Sequence, residues 1–237
     1  MIINYIVNYN PPMASSSAPR KPRRPGRPSD GAELRPRLLD AAIRCFTQRG
    51  IAATPLSAIA KAAGVTPALL HYYFGDKDKL IEAVVMERLL PVAGELRGAM
   101  QRNAGDSVDL SASFVNTVFD LIGRYPWFPP LWVREVLCEG GALRDLIVER
   151  VAPQIPQMME KHFRAARERG ELNPQLDPRL LVVSLVGITL FAAAGAPVWS
   201  RVFQTADVDL ELMRRHALAL LDTGIGVPKT SSPEPPA

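Results

Sequence analysis

The chain has 237 residues, of which 47% are hydrophobic and 22% charged, and it carries a formal net charge of +4. That is enough apolar material to bury a core in one or two domains, and it excludes a wholly disordered chain. Two cysteines, Cys45 and Cys138, and three histidines, His71, His162 and His216, stand far apart, so neither a disulfide framework nor metal-ligand spacing is present.

The charge is unevenly placed. Residues 20–37 hold seven Lys/Arg against Asp30 and Glu33, whereas residues 38–237 hold 21 basic and 22 acidic side chains. A basic arm at one end suits a polyanion partner for that end only. Residues 1–12 lack the basic start and cleavage site of a signal peptide, and Met13 opens a more ordinary MASSS segment, so Met1 and Met13 both remain as starts. Residues 1–31 are expected to be disordered. Within them, the Arg20–Pro28 run resembles an AT-hook, whose Gly-Arg-Pro core, here around Arg27, lies in the minor groove of A·T-rich DNA. A solvated basic tail is the other reading, and both stay open.

A first helix is expected from Pro36 to Arg49, stopped by Gly50, with Leu38, Leu39, Ala42, Ile43 and Phe46 as its buried stripe. Thr54-Pro55 and Thr66-Pro67 then repeat one start signal, a capping hydroxyl followed by a proline whose missing N–H has no partner to lose. Leu56, Ile59, Ala60 and Ala63 share a face, and Gly64 follows where the backbone must turn left-handed. Leu70, Tyr73 and Phe74 give the second short helix its apolar side. This pattern predicts a helix-turn-helix whose second helix, Thr66–Phe74, fits a DNA major groove. Asp76 caps the next helix, and Lys77 sits in its first turn, where a phosphate would offset the unfavourable helix dipole. That helix is expected to end near Leu90, before Pro91.

Thr54, Ile59-Ala60, Ala63-Gly64-Val65-Thr66, Leu70, Tyr73-Phe74 and Lys77–Leu80 together resemble the DNA-binding signature of the tetracycline-repressor (TetR) family. The resemblance covers about Arg35 to Ala83, and His71 departs from the tyrosine that many members carry. It implies an all-α protein with a helix-turn-helix domain over residues 32–92 and a helical ligand-binding and dimerisation domain over 93–225. The residues implied to meet DNA are Arg27, Thr54, Thr66, Pro67, Ala68, Leu69, His71, Tyr72, Tyr73 and Lys77. Thr66, Ala68 and Leu69 would read bases, and Tyr73 and Lys77 would position the backbone.

Downstream, helices are expected over Leu110–Leu121, from Pro129-Pro130 to about Cys138, and from Ala142 to Gly170, the last kinked or split at Pro153 and Pro156. Cys45 in the first expected helix and Cys138 at the end of the second of these stretches are both expected to be buried. Asp177-Pro178 opens an uncharged run, Leu180–Trp199, long enough to span a membrane but interrupted by Gly187, Gly195 and Pro197. Its residues suit a buried core or an oligomer interface equally, and with an amphipathic helix over Asp209–Asp222 it resembles the paired carboxy-terminal helices through which TetR-family members form a four-helix bundle across a dimer axis. Leu180, Val183, Val186, Gly187, Leu190, Leu210, Met213, Ala217, Leu220 and Leu221 are then the expected homodimer residues. The resemblance further implies an effector pocket, for which Trp127, Phe128, Trp132, Met158, Met159, Phe163, Phe191 and Trp199 are the candidates, with ordinary core as the other reading of each. Residues 226–237 are expected to be a disordered tail.

No glycine-rich phosphate loop or serine-nucleophile motif occurs, and Gly224-Ile225-Gly226 is a lone GxG at a helix end. No enzyme, metal or cofactor is expected. The resemblance implies a cytoplasmic, nucleoid-bound repressor, a homodimer on a palindromic operator, released by a small and mostly apolar effector. An architectural DNA-binding protein that needs no effector is the alternative.

Overall fold

An apolar stripe at helical spacing from Leu38 to Phe46 builds the first element of the computed structural model, which describes residues 30–102, 107–150, 154–205 and 207–225. Arg27, the expected basic arm as far as residue 29, Pro153 and the tail 226–237 lie outside the described residues. Every regular element among the described residues is a helix. The first, α1 (Asp30–Arg49), begins before the Pro36 start and carries Pro36 inside it. Proline has no N–H for the carbonyl one turn back. The Arg88 side chain braces this region, donating from Nη2 to the Pro36 carbonyl at 3.2 Å and pairing with Asp40 at 2.9 Å.

Two short helices follow, α2 (Leu56–Ala63) and α3 (Pro67–Phe74), joined by Gly64 at φ +70°. The Val65 N–H closes the turn on the Ala60 carbonyl at 2.9 Å, and Thr66 caps α3 by accepting from the Leu69 N–H at 3.3 Å. Thr54 does not cap α2. It is fully buried and donates its hydroxyl to the Gly50 carbonyl at 2.6 Å, while Pro55 precedes the helix without a side-chain cap. A buried hydroxyl needs an acceptor, and the turn that ends α1 offers one.

Asp76 caps α4, accepting from the Lys79 N–H at 2.8 Å. This helix runs Lys77–Val84, widens to a π turn over Val85–Leu89 and continues as Leu90–Arg102, so it passes through Pro91 instead of ending before it. In the wide turn the Leu90 N–H reaches the Val85 carbonyl, five residues back. Pro91 cannot serve the Glu87 carbonyl, and the Arg88 guanidinium does so at 3.1 Å.

The remaining helices are α5 (Ser107–Arg124), α6 (Phe128–Trp132 with a π turn over Val133–Leu137), α7 (Arg144–Arg150) and α8 (Gln154–Glu168). The expected long helix from Ala142 is thus split, with Pro156 in the first turn of α8, where no N–H is required. Asp177 caps α9, which comprises Pro178–Val186, a π turn over Gly187–Phe191, and Ala192–Val202. Its 25 residues, among which an 18-residue window reaches a mean hydropathy of 2.2, are long and apolar enough to cross a membrane. Here Leu181, Leu185 and Ala193 on one face are buried within the protein. Asp209 caps the last helix, α10 (Leu210–Gly224), which lies along α5.

Two cores result. The first joins α1–α3 and the start of α4 to Trp127, Leu131, Val136, Leu143 and Ile147. The second gathers the end of α4 with α5, α8, α9 and α10. Packing therefore crosses the expected division at residue 92, because α6 and α7 belong with the helix-turn-helix. Phe128 and Trp132 touch both cores. Cys45 is buried in the first, which pushes its thiol up from the ordinary value, whereas Cys138 is exposed at the end of α6, contrary to expectation.

Candidate nucleic-acid interface and effector cavity

Leu70 and Phe74 are buried, which turns the opposite side of α3 outward. Thr66, Pro67, Ala68, His71 and Tyr72 are exposed there, Tyr72 by 83%, and Leu69, Tyr73 and Lys77 are half-buried. The His71 Nδ1 hydrogen-bonds the Gly75 carbonyl. A carbonyl only accepts, so Nδ1 carries the proton and Nε2 is the ring nitrogen left for an outside group. Lys77 reaches across the turn and donates from Nζ to the Ala52 carbonyl at 3.1 Å. Thr54, by contrast, is sealed in the first core and cannot touch DNA.

One contributor to the site was counted with the arm in sequence. The Arg35 guanidinium pairs with Glu87 at 2.5 Å, lies 4.7 Å over the Phe74 ring and donates to the Tyr73 carbonyl at 3.4 Å. It fastens the carboxy-terminal end of α3 to α1 and α4, and so sets where α3 points. Only the fold brings these residues together, since Arg35 and Glu87 are 52 positions apart.

Between the cores lies a cavity of about 120 Å³. Leu89, Val92, Ala93 and Leu96 of α4, Phe114, Val118 and Leu121 of α5, and Val182, Val186 and Leu190 of α9 form most of its wall. Of the eight expected pocket residues, Phe128, Trp132 and Met159 are on it. The other five are elsewhere. Trp127 is in the first core, Met158 and Phe163 pack in the second, Trp199 donates its Nε1–H to the Ala192 carbonyl at 3.0 Å, and Phe191 is 62% exposed. The aliphatic wall escaped a search for aromatics and methionines, since Leu and Val at helical spacing look alike in a solid core and around a void.

Helix α6 joins cavity to helix-turn-helix. It presents Phe128 and Trp132 to the cavity, and one turn on it carries Glu135, buried to 4% exposure. The carboxylate accepts from the Ile51 N–H at 2.9 Å through Oε1 and from the Ala142 N–H at 3.2 Å through Oε2. Ile51 begins the turn between α1 and α2, so a side chain beside the cavity is bonded to the root of the DNA-reading unit. Arg134 adds a bond to the Thr47 carbonyl at 3.4 Å. Nothing in the sequence marks Glu135, whose partners are 84 and 7 residues away.

The expected dimer residues divide. Leu180 (64% exposed), Val183 (65%) and Leu220 lie on the surface, and Val186, Gly187 and Leu210 are half-buried. Leu190, Met213, Ala217 and Leu221 instead fill the second core, because α10 lays that stripe on the protein's own helices. Exposed Phe191, Val198, Val202 and Phe203 extend the outer apolar face of α9 and the turn after it.

Residues 38–84 match the bacterial regulatory proteins of the tetR family. A transcriptional regulator BetI of Brucella anthropi is 48% identical over 65 residues, which is 27% of this chain and 34% of that protein. A BetI of Rhizobium meliloti is 39% identical over 75 residues, 32% of this chain and 37% of the other. The chain thus spans about a third of the length of the curated relatives it matches. Among solved structures, the ketosteroid transcriptional regulator KstR2 of Mycobacterium tuberculosis aligns over 81% of this chain and 94% of its own, with a TM-score of 0.66 and 19% identity. The fatty acid degradation regulator FadR of Bacillus halodurans aligns over 81% and 96%, at 0.58 and 20%. These last two share the fold, and the match over residues 38–84 identifies the amino-terminal unit as a helix-turn-helix of the tetR type found in bacterial regulatory proteins.

Proposed function

We propose that the protein is a cytoplasmic repressor that binds a palindromic operator as a homodimer and lets go when a small molecule fills the cavity. The observation that carries the reading is the outward face of α3, with Tyr72, His71 and Ala68 exposed on a capped, firmly packed helix. Two copies would meet half-sites about 34 Å apart, or a multiple of that. Ala68 and Leu69 suit a thymine methyl, and His71, Tyr72 and Tyr73 suit phosphates or base edges. No Arg, Asn or Gln lies on α3, so the basic arm, Arg27 included, and DNA shape would supplement the readout. The dimer would use the outer face of α9 with Leu180 and Val183, together with Leu220 of α10.

Release would run through α6 and α4, which touch both the cavity and the first core. A ligand shifts the equilibrium only if it binds one arrangement of the recognition helices better than the other. A genome-wide binding map of the full chain tests the reading. A small set of palindromic peaks is the expected result, and broad coating would replace the repressor with an architectural protein. On a selected operator, Lys77→Ala should weaken all sequences alike, whereas Ala68 replacements should change preference at one position.

A further inference from the structure

We propose that His71 takes up a proton when the protein binds its operator, donating from Nε2–H to a backbone phosphate, so that affinity for DNA rises as pH falls through the neutral range. This rests on the operator reading above and names a regulation which that reading leaves open. The other two histidines of the chain, His162 and His216, stand far from the helix-turn-helix in sequence, on α8 and α10.

The ring is prepared for this by its bond to the Gly75 carbonyl. Neutral and protonated imidazole can both donate from Nδ1, so that bond holds the ring in one orientation whatever its charge. The two ring nitrogens point away from each other, which leaves Nε2 free of Gly75 on an exposed residue, next to Tyr72 on the outer side of α3. A bare Nε2 offers a lone pair and repels a phosphate oxygen, whereas a protonated one gives it a charge-assisted hydrogen bond. A phosphate at this place therefore selects the cation.

The surroundings favour the same outcome. His71 falls in the last turn of α3, where the helix dipole suits a positive charge. The nearby carboxylates are engaged elsewhere or stand on another turn: Asp76 pairs with Lys79 at 3.4 Å, Glu87 pairs with Arg35 at 2.5 Å, and Asp78 lies in the first turn of α4. Lys77 of α4 is bonded to the Ala52 carbonyl, Lys61 is the one charge on α2, and Tyr72 and Tyr73 are the other titratable side chains of α3. Among the described residues no ion pair reaches the imidazole. Its counter-charge has to come from outside, and a DNA backbone brings one.

The test measures affinity against pH at constant ionic strength, with the full chain and a palindromic duplex that the chain itself has selected from random DNA. From about pH 8 to about pH 6 affinity should rise about tenfold for each bound protomer, since more protons are held in the complex than in the free partners. His71→Tyr keeps a donor that does not titrate near neutrality, and it should flatten the profile; His216→Gln should leave it unchanged. In the unaltered chain with nitrogen-15 labelled histidine, at about pH 7.5, adding the duplex should convert the His71 Nε2 signal from the bare to the protonated type. That measurement stands whether or not a variant folds.

A flat profile in the unaltered chain would overturn the proposal. So would affinity that falls toward acid, which would mean that a bare Nε2 accepts from a base amino group. A dependence that survives His71→Tyr would place the proton elsewhere and overturn it as well. In all three cases the operator reading stands, because the duplex is still bound. If no duplex is enriched at any pH, both readings fall.

Discussion

The two cores of this protein are built to different specifications. Around the helix-turn-helix, Leu38, Leu39, Phe46, Ile59, Ala60 and Leu70 are buried almost completely, and the turns between helices rest on residues of special conformation. Where the second core meets the first, helices of similar apolarity come together but leave a cavity between them. The first must hold α3 in one orientation for a rigid partner, and close packing does that. The junction of the two cores leaves room, as the proposed release by a small molecule requires.

The sharpest way to break this comparison is to hollow out the first core. Phe46→Ala should cost about 3–5 kcal/mol and remove DNA binding along with the thermal transition of the amino-terminal unit. The next test adds volume. Ala60→Leu, in the first core with no exposure, should cost about 1–3 kcal/mol, whereas Ala93→Leu, on the cavity wall, should be neutral or stabilising and should exclude ligand. Denaturant unfolding of the two variants side by side decides the matter; equal penalties would mean the cavity is not a true void.

Two glycines sharpen it at smaller scale. A Cβ at Gly64 would meet nothing, so Gly64→Ala should cost only the left-handed backbone, about 1–2 kcal/mol. At Gly141 a Cβ would overlap the Glu135 carbonyl, so Gly141→Ala should cost more and shift α6. Its effect should appear as faster hydrogen exchange at the Ile51 amide, which Glu135 holds.

On the outer face of α9, Val183→Asp should leave the protomer's own fold within about 0.5 kcal/mol, since the site is exposed. If that face is a dimer seam, sedimentation should nevertheless show the pair dissociating. The smallest effect is with pH. The Arg179 guanidinium, then backbone N–H groups, hold the Asp177 carboxyl well below its ordinary range. A depressed folded pKa means the cap stabilises α9 above the unfolded value, near 4, and is lost as pH falls below it. Acid should therefore fray the start of α9, and Asp177→Asn should flatten that dependence, as read by amide exchange at Leu180.

Much of the first core was legible in sequence because it depends on residues with few uses. Gly64 in a left-handed turn, the cap at Thr66 and the cap at Asp76 each announce a local geometry that the structure has. Thr54 carries the same signal as Thr66 but is spent inward, since which of the two is buried depends on how α1 crosses them. The second core was less readable. Periodicity groups Met213, Ala217 and Leu221 on one face, but it does not say whether that face meets the same chain or a second copy. Likewise the leucines and valines of the cavity carry no mark that separates a wall from a filled interior. Glu135 was invisible because its meaning lies entirely in two amides that the fold brings to it.

The wide turn in α4 has a consequence for changes of chain length. A π turn is an ordinary helix holding one residue more than its neighbours require, so the helix on either side keeps its face. Here it lets Leu80, Ala83 and Val84 stay in the first core while Val92, Ala99 and Met100 are buried further along. Removing one residue from Val85–Leu89, for instance the exposed Met86, should leave a regular helix with both faces still aligned. Removing one residue from the middle of α5, such as Val115, has no such spare to draw on and should turn half that helix by about 100°. The segment joining the two halves of this protein is thus a place where a deletion is easily absorbed.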